Sequence, residues 1–273
     1  MIFLSDYSSY FDAGADDRDV VVAGYVSSVD EWAHFETEWR LTLLKYQVPY
    51  FHMKEFTCSR GPFAGQEWKH ELRRAAFLSS LIGITNTWTI FSMAFAVSRE
   101  VYSRVNQDFE LDKRVNEYAL CGLYCASGVR SFIRNDYKSD RPVSYYFERG
   151  DEGKGMLMAE MDKSGFPSPI FKKGRPKGDS SDIEDPPAIQ LQACDFAAWE
   201  LRRGGRDQSI GKKVRKSLRA IIAQKHAWKR IKEDDLRAYC EIAGVQRRMQ
   251  FRRVAIGKIA KPKIERKRAK ENK

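Results

Sequence analysis

Apolar positions recur along the chain with two periods. Alternation of two in Ile2-Phe-Leu-Ser-Asp-Tyr7 puts Ile2, Leu4 and Asp6 on one face and predicts a short first strand. Asp12 to Asp19, with Gly14, Asp16 and Asp17 between, reads as a turn, and Val20 to Val26 as a second strand closing a hairpin. Trp88 to Val97 is apolar but for Thr89 and Ser92 and predicts a strand covered on both faces. Val143 to Glu148 predicts another, and Pro167 to Lys172 reads as extended.

The helical period takes over elsewhere. Ser28 and Glu31 form a capping box for a helix to about Lys45, whose stripe is Trp32, Phe35, Trp39, Leu43 and Tyr46. Trp68 to Ile84 and Arg114 to Arg134 predict two more, the second with Tyr118, Cys121, Cys125, Val129 and Phe132 inward. A helix ends near Lys163, and Gly174 to Pro187 is a polar loop. Val48 to Phe56 reads as a short extended piece with His52 and Glu55 where an apolar run ends. Strands interleaved with helices predict an α/β fold with a mixed sheet flanked by helices.

The segment Pro187 to Leu201 is apolar nearly all round, with Leu191, Cys194, Ala198 and Trp199 beside Asp195. A lone ionised carboxylate in a buried helix is costly, so Asp195 calls for a proton, a cationic partner or a metal. Asp6, Glu55 and Glu148 stand in similar settings, at strand ends or after apolar runs. Convergence of these four would suit two-metal phosphodiester hydrolysis. That chemistry uses Mg²⁺ or Mn²⁺ ions roughly 3.5–4 Å apart between carboxylate oxygens. The expected ligands are Asp6, Glu148 and Asp195, with Glu55 as a fourth ligand or water-orienting group. An ion pair with Arg202 or Lys54 is the alternative for Asp195, and one with Arg149 for Glu148.

Charge sharpens the picture. The formal net charge of +11 divides unevenly: residues 202–273 hold 25 Lys+Arg against 7 Asp+Glu, whereas residues 1–201 hold 23 against 30. An acidic body with a basic end fits a polyanion, and a nucleic-acid partner is expected. Lys212, Lys213, Arg215, Lys216, Arg247, Arg248, Arg252 and Arg253 are the candidate phosphate contacts, with Trp228 and Tyr239 among them. The composition changes after Arg203-Gly-Gly205, which predicts a domain of residues 1–203 and a basic, partly helical or disordered extension of residues 204–273. Helical pieces are expected around Val214–Gln224 and Asp234–Ala243.

Other chemistries find little footing. No stretch approaches the ~20 apolar residues of a membrane span, and the first residues lack the basic and apolar regions of a secretory signal. Five scattered cysteines favour reduced, buried thiols in the cytoplasm. His52 precedes Glu55 by three residues without a second histidine at helical spacing, so it is no zinc motif. It is either a packed histidine or an auxiliary group that positions water or contacts a phosphate. The glycines between Gly150 and Gly155 lack the Gly-Lys-Ser/Thr of a P-loop, and no serine sits in a nucleophile elbow.

Asp6-Tyr-Ser-Ser, Phe51-His-Met-Lys-Glu-Phe56, Tyr146-Phe-Glu-Arg-Gly-Asp151 and Leu191-Gln-Ala-Cys-Asp195 resemble, in order and spacing, the successive motifs of the domain of unknown function 3800 family. The resemblance covers about residues 1–203. It implies a ribonuclease H-like fold, as found in bacteria and phages, with an acidic metal site formed by Asp6, Glu55, Glu148 and Asp195. The family's first motif usually reads Asp-Glu-Ser-Gly, from which Tyr7 and Ser9 depart. The expected function is a divalent-metal-dependent nuclease acting on DNA or RNA. The alternative is a catalytically degenerate module that binds nucleic acid or protein in a phage or defence locus.

Overall fold

The computed structural model describes residues 7–248 apart from 151, 180 and 224. Strands β1 (Tyr7–Ala15) and β2 (Asp19–Ser28) form an antiparallel hairpin with Tyr10 opposite Tyr25. Apart from Tyr7, the strand expected over Ile2 to Tyr7 lies outside the described residues, and the second half of β1 uses residues read as a turn. The turn itself needs only three residues. The Asp16 carboxylate accepts from the amides of Arg18 (3.0 Å) and Asp19 (2.9 Å), which closes the reversal tightly. Residues Asp12 to Ala15 are left free to pair with Val20 to Ala23.

Helix α1 (Val29–Tyr46) starts at Ser28, whose hydroxyl accepts from the Glu31 amide at 3.2 Å. Then follow α2 (Met53–Thr57), α3 (Glu71–Trp88), β3 (Phe91–Ser98), α4 (Arg99–Asp108), α5 (Glu117–Asp136) and β4 (Val143–Glu148). The chain continues through α6 (Lys154–Lys163), β5 (Ile170–Lys172), α7 (Ser181–Glu184), α8 (Gln190–Ser209), α9 (Lys216–Ile221), β6 (His226–Ile231) and α10 (Glu233–Ile242). The six strands make one mixed sheet in the order β5-β4-β1-β2-β3-β6. β1, β2 and β3 are antiparallel neighbours, whereas β4 runs parallel to β1, β5 to β4, and β6 to β3.

Both faces of the sheet are covered, as the largely apolar β3 requires. Val20, Val22 and Val26 with Phe91, Met93 and Val97 pack against α4, α5, α6 and α10. Val21, Ala23 and Tyr25 with Ala94 and Ala96 pack against α1, α3, α8 and α9. Alternate residues of one strand thus feed two separate cores.

The boundary expected at Arg203 falls inside α8, which runs on to Ser209 with Gly204 buried against Leu218. Glycine here serves close packing rather than a linker. The following segment belongs to the domain: β6 extends the sheet at the β3 edge, and Leu236 and Cys240 of α10 are fully buried in the core on the α5 side. Residues 249–273, with Arg252 and Arg253, lie outside the described residues. Among the described residues no helix is long and apolar enough to cross a membrane.

Candidate active site

Strand parity brings the first two acids together. In β4, Val143, Tyr145 and Phe147 enter the core on the α5 side, so Tyr146 and Glu148 face the opposite way. In β1, Phe11 shares that core, which turns Tyr10 and Asp12 toward α8. The strands are parallel with Tyr10 opposite Tyr146, the two rings stacked at 4.6 Å, and Phe11 opposite Phe147. One further step along each strand sets Asp12 beside Glu148. Helix α8 supplies the third acid, Asp195. It lies close enough to β1 that a Cβ on Gly14 would sit 3.3 Å from the Ala198 carbonyl oxygen.

These elements enclose a cavity of about 140 Å³ lined by Asp12, His52, Glu148, Arg175, Gln192 and Asp195. Backbone amides anchor one oxygen of each acid. Ala13 N–H donates to Asp12 Oδ1 (2.6 Å), Gly174 N–H to Glu148 Oε2 (2.8 Å) and Met53 N–H to Asp195 Oδ2 (2.6 Å). Gly174 has no substitute there, because an added Cβ would fall 2.9 Å from Leu191 Cβ and 3.4 Å from that same Glu148 oxygen.

Gln192 is the organiser of this cavity. Its Oε1 accepts from Trp39 Nε1 (3.0 Å) and the Phe51 amide (2.8 Å), and its Nε2 donates to the Gly174 carbonyl (2.7 Å). A buried amide satisfied on both ends fixes α1, the 51–53 segment and the 174 loop around Asp195. Burial pushes the Asp195 carboxyl above its usual range. The charge of His52, the Met53 amide and Arg175 oppose that rise, and Glu55 adds to it.

His52 stands between two acids, with Nδ1 3.6 Å from Glu55 Oε1 and Nε2 3.9 Å from Asp195 Oδ1. Glu55 is on α2 rather than on an extended piece. It is held at the rim of the cavity by Arg175 Nη1 (3.0 Å) and the Tyr50 hydroxyl (2.9 Å). The structure thus brings together Glu148, Asp195, His52 and, at the rim, Glu55. Asp6 lies outside the described residues, and Asp12 is the β1 acid that lines the cavity.

Oxygen donors from three carboxylates suit a hard divalent cation. The donors are not already gathered: among the described residues no three His, Cys, Asp or Glu side chains form a ready metal cage. Of the expected ligands, Glu148 and Asp195 line the cavity, and Asp12 is a third oxygen donor there; the three would have to close around an ion.

The chain matches no family model, no curated protein and no solved structure.

Three of the basic candidates make ion pairs, of which only that of Arg215 is with a buried acid. Arg215 pairs with Glu200 at 2.6 Å, Arg247 with Glu241 at 3.2 Å, and Arg248 with Asp112 at 2.6 Å. Lys212, Lys213 and Lys216 are exposed. The Tyr239 hydroxyl is spent on Glu160 at 2.8 Å, and Trp228 is partly exposed on β6. Cys121, Cys125, Cys194 and Cys240 are buried, which raises their thiols and leaves them inert, whereas Cys58 is exposed.

Sequence reasoning missed Asp12, Arg175 and Gln192. The signal for Asp12 was present: Tyr10-Phe11-Asp12-Ala13-Gly14 ends an apolar stretch in an acid followed by two small residues. Gln192 was legible as a second polar residue in the apolar helix, one turn before Asp195. Nothing local marks Arg175, whose partner Glu55 is 120 residues away.

Proposed function

We propose that the protein is a divalent-metal-dependent hydrolase of phosphodiesters, with Asp12, Glu148 and Asp195 as the metal-holding set. The observation that carries this is the meeting of three acids, from β1, β4 and α8, in one cavity that also holds His52 and Arg175. A sheet in which β1 continues into an antiparallel meander on one side, and takes two parallel strands on the other, suits the ribonuclease H-like reading. A bound Mg²⁺ or Mn²⁺ would lower the pKa of an attacking water and neutralise charge on the leaving oxygen.

The chain's own groups have defined tasks around it. Backbone amides of Ala13, Gly174 and Met53 fix one oxygen of each acid and so limit where the other can reach. Gln192 holds the two covering segments in register. Arg175, with nearly half its side chain exposed, donates to Glu55 and stands where a phosphate oxygen would meet it. His52 is placed to orient water between Glu55 and Asp195.

The binding-module alternative draws on one observation, the absence of a ready metal cage among the described residues. Cleavage of single-stranded and duplex DNA and RNA with Mn²⁺ or Mg²⁺ tests the two. The hydrolase reading expects cutting that is lost by at least about 10²-fold in Asp12→Asn and in Asp195→Asn, with folding retained. It also expects a higher Tm on adding Mn²⁺ in the wild type alone. Undiminished cutting in both variants would overturn the assignment, and no cutting with no Mn²⁺ effect on Tm would leave the binding module.

A further inference from the structure

Helix α8 carries more than Asp195 on its cavity side. At 3.6 residues per turn, Asp195, Trp199, Arg202 and Arg206 fall on one stripe, which runs about 16 Å from the acid to the last arginine. The C-terminal half of that stripe borders a separate cleft of about 360 Å³, lined by Trp199, Arg202, Arg203, Arg206, Asp207 and Lys212. With Ile210 the lining is seven residues, of which five are aromatic or cationic.

The charges in this cleft are unevenly committed. Arg202 is bound to Asp16 at 2.7 Å. Arg203 reaches Asp207 only at 4.0 Å and lies over the Trp199 ring at 5.3 Å, with its side chain 53% exposed. Arg206 and Lys212 are exposed, and neither makes an ion pair among the described residues. Trp199 is partly exposed and braced by Arg215 at 4.5 Å. Arg206 also borders a larger cleft of about 770 Å³ with Arg18 and Arg230, but there Arg230 is occupied by a two-pronged bond to Asp19. Uncommitted cations and an accessible indole coincide in the smaller cleft.

We infer that this α8 cleft, which begins one helical turn beyond Asp195, is a binding groove for single-stranded nucleic acid. Phosphates would lie on Arg206 and Lys212, and a base against the Trp199–Arg203 pair. An indole beside exposed cations suits a splayed base, since stacking tolerates any sequence and the cations track the backbone. A duplex keeps its bases stacked on one another and gains nothing from the indole. The inference rests on the hydrolase reading, for which it names the substrate.

Fluorescence anisotropy with labelled oligo-dT and full-length protein, in EDTA so that binding alone is read, tests it. Trp199→Ala should weaken binding by about tenfold or more. The pair Arg206→Ala and Lys212→Ala should lower the salt slope by about 1.4, the share of two phosphate contacts. Affinity within twofold of wild type in both variants overturns the groove. So does equal binding of a duplex with the same dependence on Trp199. Should Trp199→Ala melt early, the exposed Arg206 and Lys212 positions give the reading without it. Cutting that persists without any Trp199 effect on binding removes the groove and keeps the hydrolase. Trp199-dependent binding with no divalent-ion cleavage removes the hydrolase and keeps the groove.

Discussion

At the scale of one residue, Asp195 shows what the cavity costs the fold. Its carboxyl sits above the unfolded value of 3.8, chiefly because burial disfavours the charge. Below the unfolded value both states carry the proton and nothing is lost. As pH rises through the raised folded value, the native state must either retain the proton or bear the buried charge, and stability falls. Asparagine keeps an oxygen for the Met53 amide and removes the charge. Metal-free Asp195→Asn should therefore melt above wild type at pH 7, with the difference closing as pH falls toward 4. Thermal melts across that range check it. A lower Tm for the variant at pH 7 would mean that His52 and Arg175 hold Asp195 as a stabilising ion, and that its role is structural.

At the scale of elements, α8 is tied to the segment after it by a buried pair. Glu200, 1% exposed, accepts from Arg215 Nη2 at 2.6 Å and from the Ser217 hydroxyl at 2.9 Å. Burial still pushes its carboxyl up, against Arg215 and Ser217. Removing the cation alone would strand that charge, so Arg215→Met should lose of order 3 kcal/mol in urea unfolding at unchanged slope. Adding Glu200→Gln should restore much of the loss. Unchanged stability with a salt slope of nucleic-acid binding reduced by about 0.7 would instead make Arg215 a phosphate contact. The pair also explains which parts of the chain were legible. Periodicity found α1, α3, α5, β3 and α8, because each has a long face that a core must cover. It located Glu148 and Asp195 by the apolar residues around them. It failed where partners are distant or signals weak: β6 reads His-Ala-Trp-Lys-Arg-Ile with three exposed residues, and only the β3 edge makes it a strand. The hairpin turn is shorter than expected because Asp12 and Gly14 carry turn character locally, whereas pairing with Val20–Ala23 outweighs it. A count of positive charge, finally, does not distinguish an arginine facing solvent from one facing Glu200.

At the scale of the whole molecule, the basic segment of residues 204–248 is part of the domain, and truncation measures how much the fold depends on it. A chain ending at Arg203 loses the last turns of α8 and with them β6, α9 and α10. The edge of β3 would be bared from Ser92 to Val97, where β6 now pairs in parallel. Leu218 and Ile221 would leave the core on the α8 side, and Ile231, Leu236 and Cys240 the core on the α5 side. At about 1.5–3 kcal/mol for each large buried side chain, these losses match the roughly 5–15 kcal/mol by which a domain is stable at all. Residues 1–203 alone should therefore show no cooperative melt and should bind hydrophobic dye, whereas a chain ending at Arg248 keeps every described element and should melt cooperatively. Differential scanning calorimetry of the two decides it. A cooperative transition of 1–203 near the full-length Tm would show that β6 and α10 decorate a domain already complete. A collapsed one would mean that Trp199, Arg206 and Lys212 stand on a framework that the basic segment itself builds, so that the acidic cavity and the cationic cleft fold as one unit.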